Sequence, residues 1–186
     1  VLALNKEAVI QDLNSQAIAD LLQFVPTSME NPIQVWDACA ASGGKTILMF
    51  DTMQNIRMHV SDVRESILFN ADKHLQEAGI RPASVQVIDL TEPFDIKKPF
   101  DFVFADLPCS GSGTWGRTPE QIAFFKKKDL DYYTNLQSKI IANILPTVKL
   151  NGHLLLATCS VYAAENEAHV NTILAKGEFE LIKQQY

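Results

Sequence analysis

IQVWDACAASGGKT, at residues 33–46, decides the fold, because it joins a buried-strand pattern to a turn of small residues. The strand pattern at 33–37 is short and apolar, as in the central strands of parallel sheets. The turn brings bare backbone to the start of a helix predicted at 45–53, where a ligand can approach closely. Its ending, GKT, is not that of a nucleoside-triphosphate loop, since Cys39 stands where that loop needs a glycine. The stretch therefore predicts a strand, a ligand-binding turn and a helix.

Strands and helices continue to alternate along the rest of the chain. Further strands are predicted at 58–61, 85–88, 100–105, 153–158 and 178–182. Helices are predicted at 15–25, 67–78, 133–148 and 165–175, with Ser15 capping the first and Asn151-Gly152 ending the long one. This alternation predicts a single α/β domain of Rossmann-like type over residues 1–186, with a mostly parallel sheet and helices on both faces.

Composition narrows the class of protein. The 186 residues are 47% apolar and 20% charged, which is normal for a globular domain. No stretch approaches the roughly 20 apolar residues that span a bilayer, and no secretory signal begins the sequence. A formal charge of −6 disfavours nonspecific binding to phosphate backbones, so any grip on nucleic acid is expected from a local patch or from other parts of the protein. Three widely spaced cysteines predict reduced thiols, a cytoplasmic location and no bound metal.

Polar groups recur where the predicted strands end. Asp37, Asp62, Asp89 and Asp106 each close or follow a strand, and Cys159 follows the fifth. Open α/β sheets bind ligands outside these ends, so we expect a lined pocket rather than four unrelated helix caps. Asp62 also follows the glycine turn at about the spacing at which an acidic residue binds ribose hydroxyls in dinucleotide folds. These positions predict a ligand that contains adenosine.

Three other motifs accompany the turn at 37–46 and carry a specific resemblance. Residues 11–16 read QDLNSQ, residues 106–111 read DLPCSG, and TCS at 158–160 is followed by ENE at 165–167. Together the four motifs resemble the catalytic domain of RNA cytosine-5 methyltransferases, the family that includes the bacterial ribosomal enzyme called Sun or Fmu. The class I fold that the resemblance implies binds S-adenosylmethionine.

The sequence also departs from the pattern of that family. Ser42 replaces the usual proline of the cofactor loop, and Leu107 replaces the usual alanine two residues before Cys109. A serine frees the backbone, which predicts a looser loop and weaker cofactor affinity. Relatives carry an upstream RNA-binding domain and a further strand after the sixth, so the sequence is interpreted as a catalytic-domain fragment.

The resemblance implies methyl transfer from S-adenosylmethionine to C5 of a cytosine in RNA, expected to be ribosomal RNA. Cys159 would add to C6 as a thiolate, and Cys109 would assist release of the product. Asp106 would hydrogen-bond cytosine N3 and support the charge that develops in the ring. These are the three expected catalytic residues.

The resemblance also implies a set of cofactor contacts. Asp62 would hold the ribose hydroxyls, Asp89 the adenine edge, and Asp106 would lie near the amino group of the methionine part. The methionine part itself would be wrapped by Cys39, Ala40, Ala41, Ser42, Gly43, Gly44 and Lys45.

Each candidate residue has a plainer structural interpretation. Cys39 is more simply a small buried hydrophobe, and Glu165 and Glu167 could only favour a helix start. The basic residues of another group are more simply a solvated face but could contact phosphates, and its tryptophan could stack on a splayed base or pack in the loop. That group consists of Trp115, Arg117, Lys126, Lys127 and Lys128.

Two other functions stay open at this point. A methyltransferase for DNA or a small molecule would use Cys109, in its Pro-Cys motif, as the essential thiol. A noncatalytic module would hold RNA or a partner on a retained fold. The sequence predicts neither the particular RNA nor the oligomeric state.

Overall fold

Strands and helices alternate through the computed structural model, which describes residues 7–95 and 98–185. The strands are β1 (Ile33–Asp37), β2 (Ile56–Asp62), β3 (Ser84–Val87), β4 (Phe100–Asp106) and β5 (Val148–Ala157). The helices are α1 (Leu13–Leu22), α2 (Gly44–Thr52), α3 (Glu65–Glu77), α4 (Glu120–Phe124), α5 (Lys127–Ile144) and α6 (Glu167–Leu174). None of these described helices is long and apolar enough to cross a membrane.

The five strands form one parallel sheet in the order β3-β2-β1-β4-β5. The chain order reverses between β1 and β4, so their carboxyl ends diverge and open a crevice at the centre of the sheet. This is the Rossmann-like arrangement of class I S-adenosylmethionine-dependent methyltransferases, which confirms the predicted fold class. The crevice is where the turn after β1 and the loops after β4 and β5 meet.

Alternate residues of the central strands build two cores, one on each face of the sheet. Val35, Phe102 and Phe104 pack in a cluster with buried residues of α1, α2 and α3. Trp36 and Val103 belong to a second cluster with buried residues of α5 and α6. The period of two along β1 and β4 therefore places helices on both faces.

Three predicted elements differ from the structure. Residues 178–182 form no strand, because no strand of the described chain pairs with them, and Leu181 and Ile182 stay half exposed. The long helix ends at Ile144, and Asn151-Gly152 lies inside β5 instead of ending that helix. A Cβ at Gly152 would lie 3.0 Å from the Asp101 carbonyl oxygen, so the glycine permits a close approach at an irregular point of the sheet.

Helix α1 begins earlier than predicted. Asp12 is its N-cap and accepts a 3.0 Å hydrogen bond from the Ser15 backbone N–H, so Ser15 lies inside the helix instead of capping it. The side chain of Gln11, one residue earlier, donates to the Gly44 carbonyl and ties this entry segment to the start of α2.

Candidate active site

Two cysteines meet at the carboxyl edge of the sheet. Asp106 of β4 is paired in register with Ala157 of β5, so the loops that follow leave the sheet side by side. The sulfurs of Cys109 and Cys159, one on each loop, are 3.3 Å apart. Cys159 is exposed and Cys109 is partly buried, which leaves one sulfur open to a substrate and the other behind it.

The contact between the sulfurs makes the two thiols chemically unequal. The hydrogen bond from Cys109, helped by Lys45, lowers the pKa of Cys159 to about 7, against the opposing effects of burial and of Asp106. The same hydrogen bond, with burial, raises the pKa of Cys109. Cys159 is therefore the thiol of the pair that ionises around neutral pH and gives the nucleophilic thiolate, while Cys109 keeps a proton that it can donate.

One buried carboxylate holds both cysteine loops. Glu165, 1% exposed, accepts hydrogen bonds from the Ser110 backbone N–H at 2.8 Å and from its hydroxyl at 2.5 Å. It also accepts one from the hydroxyl of Ser160. Ser110 and Ser160 are the residues directly after the two cysteines. The sequence by itself indicated only a helix start at Glu165, although the serine after Cys109 and the serine after Cys159 were a signal for a shared partner.

Helix α5 supplies a second anchor for the first cysteine loop. The side-chain N–H groups of Gln137, which is fully buried, donate to the Pro108 carbonyl at 2.9 Å and to Glu165 at 3.3 Å. Its carbonyl oxygen must then accept the 2.9 Å bond from His169 Nε2. Burial lowers the pKa of His169, consistent with a neutral ring in this network. No sequence pattern marked Gln137 or His169 as part of the site.

A lysine and a carboxylate face each other beside the cysteines. Lys45 Nζ, in the first turn of α2, lies 2.6 Å from Asp106 Oδ2 at the end of β4. Each side chain is about one quarter exposed, at 25% and 27%, so the pair borders the crevice without being sealed in the core. The structure thus brings two predicted site residues together on opposite walls of the same crevice.

The small-residue turn after β1 is held by its own backbone. The Ala40 N–H donates to the Ser61 carbonyl and the Gly43 N–H to the Ala40 carbonyl, both at 2.9 Å. Gly43, with φ of 84°, and Ala41, with φ of 48°, adopt left-handed conformations. The Ser42 carbonyl accepts a 3.3 Å bond from His74 Nδ1. The carbonyl of Ser42 thus has a partner in α3, and the effect of this serine on loop mobility and on cofactor affinity stays a prediction.

The other departure from the family pattern has a packing role. Leu107 is 4% exposed and belongs to the core cluster between the sheet and α5. Its N–H donates to the Ala157 carbonyl at 2.8 Å, which continues the pairing of the two loops past the strands.

Asp62 lies at the end of β2 with both carboxylate oxygens engaged. Its Oδ2 accepts from the Ala41 N–H at 2.9 Å, and the Arg64 guanidinium donates to both oxygens at 2.9 and 3.0 Å. Burial acts to raise the pKa of Asp62, but these hydrogen bonds lower it overall, so the group is charged. The sequence did not indicate Arg64 as the partner of Asp62, because no motif is associated with a position two residues after the end of a strand.

Two other strand-end aspartates differ in exposure. Asp89 is exposed and accepts bonds from the Thr91 N–H at 2.9 Å and hydroxyl at 2.6 Å, which lower its pKa. Asp37 is fully buried, accepts a 2.5 Å bond from the Thr46 hydroxyl, and has its pKa raised by burial to about 7. Oδ1 of Asp37 has no hydrogen-bond partner within the described residues.

Cys39 lies two residues after Asp37 and is a partly buried packing residue. It packs against the cluster under α5, and burial raises the pKa of its thiol. The structure therefore gives Cys39 the plainer role of a small hydrophobe. In the chain as described, no group of three or more histidine, cysteine, aspartate or glutamate side chains could hold a metal ion.

Trp115, in the loop after Cys109, packs in an aromatic group. Its ring centroid lies 4.9 Å from that of Phe125 and 6.2 Å from that of Tyr162, and the last two rings stack at 5.7 Å. These contacts correspond to the loop-packing alternative for Trp115. The group also fixes the segment after Cys159 against the segment before α5.

The predicted basic residues are divided between two places. Arg117 Nη1 lies 3.5 Å from Asp12 Oδ2, so this arginine joins the cysteine loop to the start of α1. Lys126, Lys127 and Lys128 are exposed at the start of α5, where the Lys126 N–H donates to Asp129. Cations at the positive end of a helix dipole are unfavourable by themselves and suit a bound anion.

Comparison with known proteins identifies relatives of one kind. The family model described as 16S rRNA methyltransferase RsmB/F matches residues 24–186. Ribosomal RNA small subunit methyltransferase B of Yersinia enterocolitica is 32% identical over 169 residues, 90% of this chain and 38% of the relative. The protein of the same name from Yersinia pseudotuberculosis is 31% identical over the same length. The chain thus spans 38% of the length of these curated relatives.

Solved structures share the fold. A methyltransferase homolog protein from Pyrococcus horikoshii superposes with a TM-score of 0.77 at 26% identity, over 96% of this chain and 54% of that one. NSun6 from Pyrococcus horikoshii, solved with SFG, gives a TM-score of 0.78 at 23% identity, over 95% of this chain and 44% of that one.

Proposed function

This chain belongs to the 16S rRNA methyltransferase RsmB/F family, a family that uses S-adenosylmethionine, and on that premise we propose that it methylates C5 of a cytosine in ribosomal RNA. The observation that carries the proposal is the 3.3 Å contact between the sulfurs of Cys109 and Cys159. A C5 carbon is a poor nucleophile until a group adds at C6. An exposed thiolate with a thiol behind it meets that requirement.

Each cysteine has a distinct part in the proposed reaction. The Cys159 thiolate forms a bond to C6, and the electron pair of the C5–C6 double bond moves to C5, which takes the methyl group. A base then removes the C5 proton, the double bond re-forms, and the Cys159–C6 bond breaks. The retained proton of Cys109 stabilises the departing thiolate of Cys159, while Asp106, beside Lys45, faces the ring.

The residues of the crevice fit S-adenosylmethionine. The charged Asp62 suits ribose hydroxyls once the Arg64 guanidinium yields an oxygen to them, and the turn at 39–44 offers backbone without bulky side chains. The buried Oδ1 of Asp37, which has no partner within the described residues, is a polar atom that a group of the cofactor or a water can satisfy. The bound cofactor supplies a methyl group on a positively charged sulfur. We assign Asp89 to the adenine edge on the resemblance alone.

The RNA has to reach the cysteines as a single strand or as a locally opened helix, because the attack on C6 comes from the face of the ring. Lys126, Lys127 and Lys128 at the start of α5 are proposed to contact its phosphates. Arg117 and Trp115 are proposed to act there through the loop that they hold. A ribosomal substrate would be met in the cytoplasm.

The experiment that tests the function uses RNA labelled with tritium at C5 of its cytosines, together with S-adenosylmethionine. Methylation at C5 expels that tritium into water, so release is specific to the proposed position. We expect release with the unchanged chain, none with Cys159→Ala, and unchanged release with the control Thr172→Ala, which removes a hydroxyl from an exposed position of α6. Methyl transfer to the RNA without tritium release would overturn the C5 assignment. Loss of release in Cys109→Ala with retention in Cys159→Ala would overturn the assignment of the nucleophile.

A further inference from the structure

Glu165 contacts both cysteine loops and no other charged group in the described network. Three of its donors belong to the serines that directly follow the cysteines, and the fourth is Gln137. Gln137 also holds the Pro108 carbonyl, so the first loop is fixed on both sides of Cys109. Partners of one carboxylate thus hold both loops, in addition to direct bonds between the loops such as the 2.9 Å bond from the Val161 N–H to the Ser112 hydroxyl.

The burial of that carboxylate needs an explanation. A charged group that is 1% exposed loses most of its hydration and is tolerated only where several donors replace the water. A helix start such as that of α6 is satisfied equally well by a partly exposed glutamate, as Glu167 illustrates two residues later. The inward direction of Glu165 therefore serves the contacts with Ser110 and Ser160.

Further hydrogen bonds hold the backbone around Glu165. The Glu165 N–H donates to the Tyr162 carbonyl at 3.0 Å, and the Asn166 side chain donates to the Ser160 and Tyr162 carbonyls at 2.9 and 3.0 Å. From the other loop, the Gly113 N–H donates to the Cys159 carbonyl at 2.9 Å. A displacement of the carboxylate is therefore transmitted to the sulfurs.

We propose that Glu165 is a positioning residue, whose carboxylate clamps the loops of Cys109 and Cys159 so that the thiol of one stays in hydrogen-bond contact with the thiolate of the other. The inference deepens the proposed function and rests on it for its catalytic meaning. The clamp acts on the cysteines through Ser110 and Ser160 and does not touch the substrate.

Glu165→Gln tests the clamp with little change of volume. The amide offers one acceptor oxygen in place of two and turns a donor toward the serines, so the loops are expected to separate. The first readout is the rate at which iodoacetamide alkylates Cys159, followed by peptide mass spectrometry as a function of pH. In the unchanged chain the midpoint is expected near the pKa of about 7. In Glu165→Gln it should rise toward the free-thiol value of about 8.5.

Glu167→Gln is the matched control, since it removes the same charge two residues away and should leave the alkylation midpoint unchanged. A second control is Glu165→Gln in a Cys109→Ala background, where the clamp has no partner thiol left to place. There the glutamine is expected to move the midpoint no further. A midpoint that is unchanged in Glu165→Gln, or that moves equally in the Cys109→Ala background, overturns the proposal.

Single hydroxyl removals cover the case in which the buried glutamine prevents folding. Ser110→Ala and Ser160→Ala each remove one donor, and each is expected to raise the midpoint by part of the full shift; no shift in either variant overturns the clamp. Tritium release should fall at least tenfold in kcat for Glu165→Gln, with the KM for S-adenosylmethionine unchanged. Alkylation needs neither RNA nor cofactor, so failure of the clamp and failure of the proposed function give different results.

Discussion

At the scale of single residues, the site depends on how each ionisable group is surrounded. Cys159 and Cys109 have the same chemistry in isolation, yet one hydrogen bond between them makes the first the anion and the second the donor. Asp37 and Asp62 both follow strands, but burial favours the neutral form of the first and hydrogen bonds favour the charged form of the second. The sequence showed which residues stand at strand ends and could not show these differences, which arise from partners distant in the chain.

Asp37 makes a specific contribution to the pH dependence of stability. Burial raises its pKa to about 7, whereas an unfolded aspartate titrates near about 3.9. The folded protein therefore holds a proton that the unfolded chain has lost between these values, and its stability falls as pH rises through that window. Asp37→Asn keeps an acceptor for Thr46 and removes the titration. Urea unfolding should show that the unchanged protein loses on the order of 3 kcal/mol from pH 4 to pH 8 relative to the variant. Parallel stability curves would contradict this.

At the scale of elements, the strand order and the loops after β4 and β5 determine which residues meet. Alternating strands and helices predicted the sheet and its two covered faces, because the period of two and the period of 3.6 are local properties. The segment at 178–182 has the same local pattern and yet forms no strand, since a strand also needs a partner that its own sequence does not specify. Glu165 and Gln137 were missed for a related reason: their importance comes from contacts between α5, α6 and the loops.

The loop after β4 approaches Cys159 so closely that a side chain fits only if its neighbour shifts by a few tenths of an ångström. A Cβ added at Gly113 would lie 3.0 Å from the Cys159 carbonyl oxygen and 3.4 Å from its carbonyl carbon. Gly113→Ala is therefore expected to push the loops apart and to lower tritium release about tenfold or more, a change of about 1.4 kcal/mol in activation free energy. Gly116→Ala is the control, because a Cβ there meets nothing within 4 Å. Equal rates in the two variants would show that the close approach is unimportant.

At the scale of the whole molecule, the negative net charge opposes RNA binding, but one group of positive charges is clustered at the start of α5. A formal charge of −6 gives a field that repels a phosphate backbone at long range. The exposed lysines at the start of α5 form a local exception beside the loop of Trp115 and Arg117. The proposed RNA contact is thus confined to one place and should depend on salt.

This localisation can be tested by comparing two variants of equal charge. Lys127→Ala with Lys128→Ala removes two cations from the start of α5, and Lys73→Ala with Arg81→Ala removes two from α3 and the loop after it, on the other face of the sheet. The first variant should bind single-stranded RNA more weakly. The slope of the logarithm of its association constant against the logarithm of the salt concentration should become less steep by about 1.4, at about 0.7 per lost phosphate contact. Fluorescence anisotropy over a salt series measures both. Equal losses in the two variants would favour diffuse attraction over a patch.

The central claim, that Cys159 is the nucleophile and Cys109 its partner, is tested most directly by covalent trapping. RNA that contains 5-fluorocytosine is incubated with the chain and S-adenosylmethionine, because fluorine at C5 cannot leave as the proton does. The account predicts a protein–RNA adduct that peptide mass spectrometry maps to Cys159, that disappears in Cys159→Ala and that still forms in Cys109→Ala. An adduct mapped to Cys109, or no adduct although S-adenosylmethionine is bound, would contradict it.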